Sequence, residues 1–165
     1  MKTTLKNGFI FALIALVCSF STSILAQTPP QTKAPAQKVE TKKEEGKTTY
    51  INKEEFLKRV FNYEKSNEWK YIGDKPCVLN FTASWCAPCR TMAPFLDELA
   101  DEFKGQIYIY KIDVDKEREL AAKFGISGMP TLIFIPMTGQ PQANRGGLPK
   151  NEIRRAIETV LLGKK

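Results

Sequence analysis

Apolar residues recur at helical spacing in four stretches of the chain, and each stretch predicts an amphipathic helix. The four predicted helices lie near residues 52–61, 86–103, 116–124 and 150–162. Asn52 is placed to cap the first helix, with Glu55 three residues further on in the capping-box position. Pro94 lies inside the second helix and should kink it, because proline has no N–H to donate. Gly125 follows the third helix, where a C-terminal cap is expected.

Short apolar runs lie between these helices and predict β-strands. The runs at 77–83, 107–114 and 131–135 are rich in β-branched and aromatic residues, as buried strands are. A turn over 137–140 then leads to a weaker edge strand at 142–145. Strands that alternate with helices and then end in a hairpin predict an α/β fold. We expect a central mixed β-sheet flanked by helices on both faces.

Residues 1–26 have the pattern of a signal peptide. Lys2 and Lys6 come first, an apolar run follows at 9–18, and small or polar residues lead to a cleavage site after Ala26. The apolar run is short for a transmembrane helix. We therefore expect the protein to be exported, to the periplasm of a bacterium. The alternative is an uncleaved leader that tethers the protein to the membrane.

Residues 27–47 have the composition of a disordered linker, rich in Pro, Gln, Thr and Lys and poor in large apolar side chains. Residues 48–165 form one domain of ordinary size. The full chain carries 25 basic and 18 acidic residues, a net charge of +7. Without Lys2 and Lys6 this becomes 23 minus 18, or +5. The charges are interspersed and form no aromatic-basic patch, so we expect no nucleic-acid partner.

The segment Trp85-Cys86-Ala87-Pro88-Cys89 is the most informative part of the chain. Two cysteines, with two residues between them, lie at the junction of a predicted strand and a predicted helix. They can close and reopen a disulfide within one helical turn, and the first sulfur meets the free N–H groups of the helix. A structural disulfide and half of a metal site are the alternatives. Zinc needs four ligands, and the chain has no histidine, so redox chemistry without a metal is favoured.

Cys77 would be left unpaired after export, since Cys18 lies in the signal peptide and Cys86 pairs with Cys89. Its place at the start of an apolar strand favours a small buried hydrophobic role, as is common for free cysteine. A regulatory or resolving thiol is the alternative.

The domain resembles the thioredoxin family over essentially all of residues 48–162. The resemblance is carried by Trp85-Cys86-Ala87-Pro88-Cys89-Arg90 with Pro94, Lys111-Ile112-Asp113-Val114-Asp115, Phe124-Gly125-Ile126-Ser127-Gly128-Met129-Pro130-Thr131 and Gly146-Gly147-Leu148. It implies a thioredoxin fold and, with the leader, an exported thiol-disulfide oxidoreductase. It also implies that Cys86 is the nucleophile, that Cys89 resolves the mixed disulfide, and that no cofactor beyond the Cys86–Cys89 disulfide is needed.

The same resemblance assigns supporting and substrate-binding positions. Trp85 would form a rim beside Cys86, although a lone tryptophan is also compatible with a core position. Pro88 would stiffen the turn, and Ala87, beside it in the motif, is a further supporting residue. The predicted substrate-binding residues are Met129, Pro130, Thr131, Gly146 and Gly147. Pro130 would follow a cis peptide bond and lie against the sulfurs, and the Met129 backbone would pair with a substrate strand.

Three residues depart from the family pattern. Ala87 replaces the usual glycine, and Thr82 replaces a common aromatic residue. Asn80 stands where the family usually has a buried aspartate that accepts the proton of the resolving cysteine, and Asn cannot accept it. Lys111 then lacks its usual partner. Water, Cys86 itself or another acid must take the proton. The segment 62–76 is also longer than in the shortest members of the family.

The leading prediction is an enzyme that reduces disulfides in exported proteins. Its partners would be protein disulfide substrates and an unidentified electron-donor or acceptor protein, which a membrane could hold, and we expect a monomer. A dedicated oxidant or isomerase and a cytochrome-maturation thiol reductase share the motif and stay open. A non-catalytic binding module is disfavoured by the presence of both Cys86 and Cys89. A module that bridges an iron–sulfur cluster is disfavoured by Pro130 and by Pro88 of the motif.

Overall fold

A computed structural model describes residues 45–164. The predicted signal peptide and nearly all of the predicted linker lie outside the described residues. The elements in chain order are β1 (Thr48–Tyr50), α1 (Lys53–Arg59), β2 (Cys77–Thr82), α2 (Ala87–Glu102), β3 (Tyr108–Asp113), α3 (Arg118–Lys123), β4 (Thr131–Ile135), β5 (Gln142–Arg145) and α4 (Lys150–Ala156).

The strands form a mixed sheet in the order β1-β3-β2-β4-β5. β2 is central: it pairs in parallel with β3 and antiparallel with β4. β1 extends the parallel side beyond β3, and β5 forms a hairpin with β4. The predicted α/β class and mixed sheet are therefore confirmed.

Helices cover both faces of the sheet because the side chains of β2 alternate between two buried clusters. Leu79 and Phe81 pack in one cluster with Phe56 of α1 and Leu120 of α3. Val78 faces the other side, in a cluster built with α2 and α4. The motif that contains the two cysteines therefore lies between the end of the central strand β2 and the start of α2, which covers this second face.

The capping box predicted for α1 is present. The Glu55 backbone N–H donates to Asn52 Oδ1 at 2.9 Å, and the Asn52 N–H donates to Glu55 Oε2 at 3.3 Å. α2 continues through Pro94 to Glu102. Among the helices of residues 45–164, none is both long enough and apolar enough to span a bilayer.

Two features were not predicted from the sequence. β1 was missed, because its residues Thr48, Thr49 and Tyr50 show no apolar alternation and follow a polar stretch. Its hydrogen bonds come from β3, which is distant in sequence. The last helix is α-helical only to Ala156 and continues as a π-helix over Ile157–Leu161, whereas the apolar spacing predicted one regular helix.

Candidate active site

Cys86 and Cys89 form a disulfide at the N-terminus of α2. The sulfurs are 2.04 Å apart and the Cα atoms 5.3 Å apart. Cys86 is the N-cap residue, with extended backbone angles, and Cys89 lies in the first turn of the helix. Both residues are buried, with 4% and 2% of their surface exposed. The strand-to-helix junction thus holds the dithiol pair at one end of the central strand.

The start of α2 places a hydrogen-bond donor on the first sulfur. The Cys89 backbone N–H donates to Cys86 Sγ at 3.2 Å. Pro88 lies in the same turn and has no N–H, which removes one unsatisfied donor from the helix start. A thiolate at Cys86 would be stabilised here by the backbone N–H groups and the positive end of the helix dipole.

Trp85 precedes Cys86 in the chain and lies at the surface, with 64% of its area exposed. Its indole Nε1–H donates to Asp115 Oδ2 at 2.8 Å, which ties the ring to the segment after β3. Arg90, on the other side of the motif, donates from its guanidinium to the Ser84 carbonyl at 2.9 Å. These two contacts hold the residues on either side of the disulfide.

Met129, one of the predicted substrate-binding residues, packs beside the cysteines. The Met129–Pro130 peptide bond is cis, and Met129 packs against the cluster of Cys86, Cys89 and Ala83. Thr131 is buried, and its hydroxyl donates to the Gly128 carbonyl at 2.7 Å.

The two glycines adjoin the same region. The Gly146 N–H donates to the Pro130 carbonyl at 2.8 Å. Gly146 has a φ of 95°, a conformation that favours glycine, and Gly147 beside it is exposed. Gly146 is therefore joined through Pro130 to the segment whose Met129 side chain packs on the cysteines.

Asn80 is buried in the middle of β2, with 2% of its surface exposed. Its Oδ1 atom is buried and has no hydrogen-bond partner. Lys111 is its register neighbour on β3, and the Lys111 ammonium pairs with Asp97 Oδ1 of α2 at 3.1 Å. The structure thus supplies Lys111 with a partner that sequence reasoning did not find, because Asp97 lies on a different element.

A cleft of about 200 Å³ opens beside Cys89, and Asp113 lies on its wall. Asp113 ends β3 and is the register neighbour of Thr82, two residues beyond Asn80 on the same face. Sequence reasoning gave this residue no role. Its signal was the alternation Lys111-x-Asp113, which places both side chains on one face of a strand.

Cys77 is a buried free thiol at the start of β2. Burial raises the pKa of this thiol to about 12, although a hydrogen bond with Tyr71 opposes the shift. A thiol held in this form is a poor nucleophile, since the thiolate is the reactive species. The prediction of a small buried hydrophobic residue is confirmed.

A dithiol motif at the start of a helix, in a mixed sheet with helices on both faces, defines a thiol-disulfide oxidoreductase. The thioredoxin family model matches residues 47–159. The chain belongs to the thioredoxin family.

Two curated relatives are thioredoxins from bacteria. The thioredoxin of Borreliella burgdorferi is 33% identical over 108 residues, which cover 66% of this chain and 92% of the relative. That of Haemophilus influenzae is 45% identical over 85 residues, covering 51% of this chain and 78% of the relative. Among solved structures, chloroplastic thioredoxin z is similar, with a TM-score of 0.57 and 28% identity over 69% of this chain and 94% of that one.

Thioredoxins act on protein disulfides and use no cofactor beyond their redox-active cysteines. Within residues 45–164, no cluster of three or more potential metal ligands was found. The chemistry of the site therefore depends on the Cys86–Cys89 pair and on the groups around it.

Proposed function

We propose that this thioredoxin acts outside the cytosol and reduces disulfides in exported proteins. The signal-peptide pattern of residues 1–26 supports the compartment. Ala87-Pro88 supports the direction, since it is closer to the Gly-Pro of reducing thioredoxins than to the histidine-containing dipeptides of strong oxidants. The observation that carries the activity is the placement of Cys86 as the N-cap of α2, joined to Cys89 one turn later.

In the first step, the Cys86 thiolate attacks one sulfur of a substrate disulfide. A bond forms between Cys86 and that sulfur, and the second substrate sulfur leaves as a thiolate and takes a proton from solvent. The Cys89 N–H that donates to Cys86 Sγ favours the negative charge before the attack.

In the second step, Cys89 loses its proton and attacks Cys86. The Cys86–Cys89 disulfide forms, and the first substrate sulfur leaves as a thiol after taking up a proton. The substrate gains two electrons and the protein loses two. A reduced dithiol donor must then reduce the disulfide, and for an exported protein this donor is another protein, which a membrane could hold.

The substrate would lie across the surface between Trp85 and Gly146. An extended peptide could pair with the Met129 backbone, because strand addition uses main-chain hydrogen bonds and needs few specific side chains. Such a surface suits many substrates, as a general reductase requires.

Reduction of insulin disulfides by the protein with a dithiol donor tests the proposed roles. Cys86→Ser should abolish turnover, because no nucleophile remains. Cys89→Ser should accumulate a mixed disulfide through Cys86 that mass spectrometry detects. Full turnover by the Cys89→Ser variant would contradict the resolving role. A variant at the unreactive cysteine, Cys77→Ala, serves as the matched control and should retain activity.

A further inference from the structure

Asn80, in the middle of β2, provides no acceptor for the proton that Cys89 loses in the resolving step. Its amide cannot take a proton at neutral pH, and its Oδ1 atom is buried without a partner. Asp97 is occupied by Lys111 at 3.1 Å and also accepts from the Thr48 hydroxyl. If a carboxylate takes the proton in the resolving step, it therefore lies at a different position near Cys89.

We propose that Asp113 is this base, and that it takes the proton of Cys89 through the cleft that the two residues share. Asp113 and Cys89 both line this cleft of about 200 Å³, together with Tyr50, Thr82 and Arg90. A cleft of this size admits water where polar groups such as Thr82, Ser84 and Asp113 line it, so a single water can relay the proton.

The carboxylate of Asp113 is anchored by one oxygen. Asp113 Oδ1 accepts the Asp115 backbone N–H at 3.0 Å, which fixes the orientation of the group. Oδ2 has a long contact of 3.9 Å with Lys116, whose side chain is 79% exposed, whereas that of Asp113 is 20% exposed. An ion pair with a largely exposed lysine at this distance is weak, so Oδ2 is available to accept a proton.

Several charged or titratable groups line the two clefts that Asp113 also lines. They are Tyr50 from β1, Arg90 from α2, Glu55 from α1, and Lys116 and Glu117 from the segment after β3. Arg90 donates to the Ser84 carbonyl, and Glu117 accepts the Lys53 backbone N–H.

The step balances as general base catalysis. Cys89 S–H gives its proton through water to the Asp113 carboxylate as the Cys89 sulfur bonds to Cys86. The bond between Cys86 and the substrate sulfur breaks, and that sulfur leaves with the electron pair. Asp113 then returns its proton to the leaving thiolate or to solvent. Asp113 acts only on the second step, because Cys86 needs no base once it is a thiolate.

The test uses the reduced mature chain, from Gln27, and the chromogenic disulfide dithionitrobenzoate. Attack by Cys86 releases one nitrothiophenolate, and attack by Cys89 releases the second, so stopped-flow absorbance resolves two phases. Asp113→Asn keeps an acceptor for the Asp115 N–H, which protects the fold. We expect it to slow the second phase on the order of tenfold at pH 7 and leave the first phase unchanged. Asp101→Asn, on the exposed side of α2, is the matched control and should behave as wild type.

The pH profile separates a base from a structural role. With a general base, the second phase should change little between about pH 6 and 8. In Asp113→Asn it should rise roughly tenfold per pH unit, because only solvent hydroxide then removes the proton. Asp113→Glu, which keeps the carboxylate, should retain the shallow profile.

Three results would overturn the proposal. One is a second phase in Asp113→Asn with the rate and pH profile of wild type. Another is an equal slowing of both phases. The third is an Asp113→Glu profile that rises roughly tenfold per pH unit, a result that can be obtained even if Asp113→Asn fails to fold. None of these depends on export or on the direction of the reaction in the cell.

Discussion

Asn80 places a neutral amide in the buried central strand, where the family resemblance leads one to expect an aspartate. A carboxylate at this buried position would lose its hydration with no cation free to pair with it, since Lys111 is bound to Asp97. We expect Asn80→Asp to lower the free energy of unfolding of the oxidised protein by about 1–3 kcal/mol. Denaturant titration at neutral pH measures this change.

Asn151→Asp is the control for that substitution. Asn151 is exposed in the first turn of α4, where a negative charge is favoured by the helix dipole. The control should be as stable as wild type or slightly more stable. Equal stability of Asn80→Asp and wild type would mean that the position is better solvated than its burial indicates.

Cys77 gives a second prediction at the scale of single residues. Burial raises its pKa to about 12, so nearly all of it is thiol at pH 8 and it should react slowly with disulfide reagents. Oxidised mature protein should release almost no nitrothiophenolate from dithionitrobenzoate at pH 8. The same protein unfolded in guanidinium, the control, should release one equivalent. Rapid release from the folded protein would revive the hypothesis of a regulatory thiol.

At the scale of elements, the capping box of α1 contributes stability apart from the active site. Asn52→Ala removes the side-chain acceptor for the Glu55 N–H and should cost about 0.5–2 kcal/mol of unfolding free energy. Insulin reduction should be unchanged. Asn151→Ala, within α4, is the matched control and should not destabilise. A loss of activity in Asn52→Ala that exceeds the loss of folded protein would contradict this separation.

The helices and interior strands could be predicted because local patterns determine them. Phe56, Leu96 and Ile153 recur at helical spacing with their neighbours, and the apolar run of β2 fits one buried strand. β1 could not be predicted in this way, since a three-residue polar strand depends on its pairing with β3. The π-helix at Ile157–Leu161 keeps Ile157 and Leu161 buried, so the spacing of apolar residues does not distinguish it from an α-helix.

The candidate site likewise combines residues that a local pattern predicts with contacts that form only in the folded chain. Cys86 and Cys89 could be predicted from the sequence because they lie close together at a predicted helix start. The pairing of Lys111 with Asp97, and the cleft shared by Cys89 and Asp113, join side chains from different elements. Such contacts depend on strand register, which the sequence pattern does not specify when a strand is buried on both faces.

At the scale of the whole molecule, the proposed signal peptide would determine which disulfides the protein meets. Disulfides persist outside the cytosol, so a reductase there meets oxidised proteins continuously. We expect the mature protein to begin near Gln27. Mass spectrometry of material from the periplasm of an expressing bacterium checks this prediction, with the cytoplasmic fraction as the control. Retention of residues 1–26 on exported material would favour the tethered alternative.

The reduction potential of the Cys86–Cys89 pair tests the central claim most directly. Equilibration of the mature protein with defined ratios of reduced and oxidised glutathione gives the potential, and the Cys86→Ser variant gives the baseline. A reductase should have a potential near the value of known thioredoxins, about −270 mV. A potential near that of strong periplasmic oxidants, about −120 mV, would contradict the account and make the protein a disulfide donor.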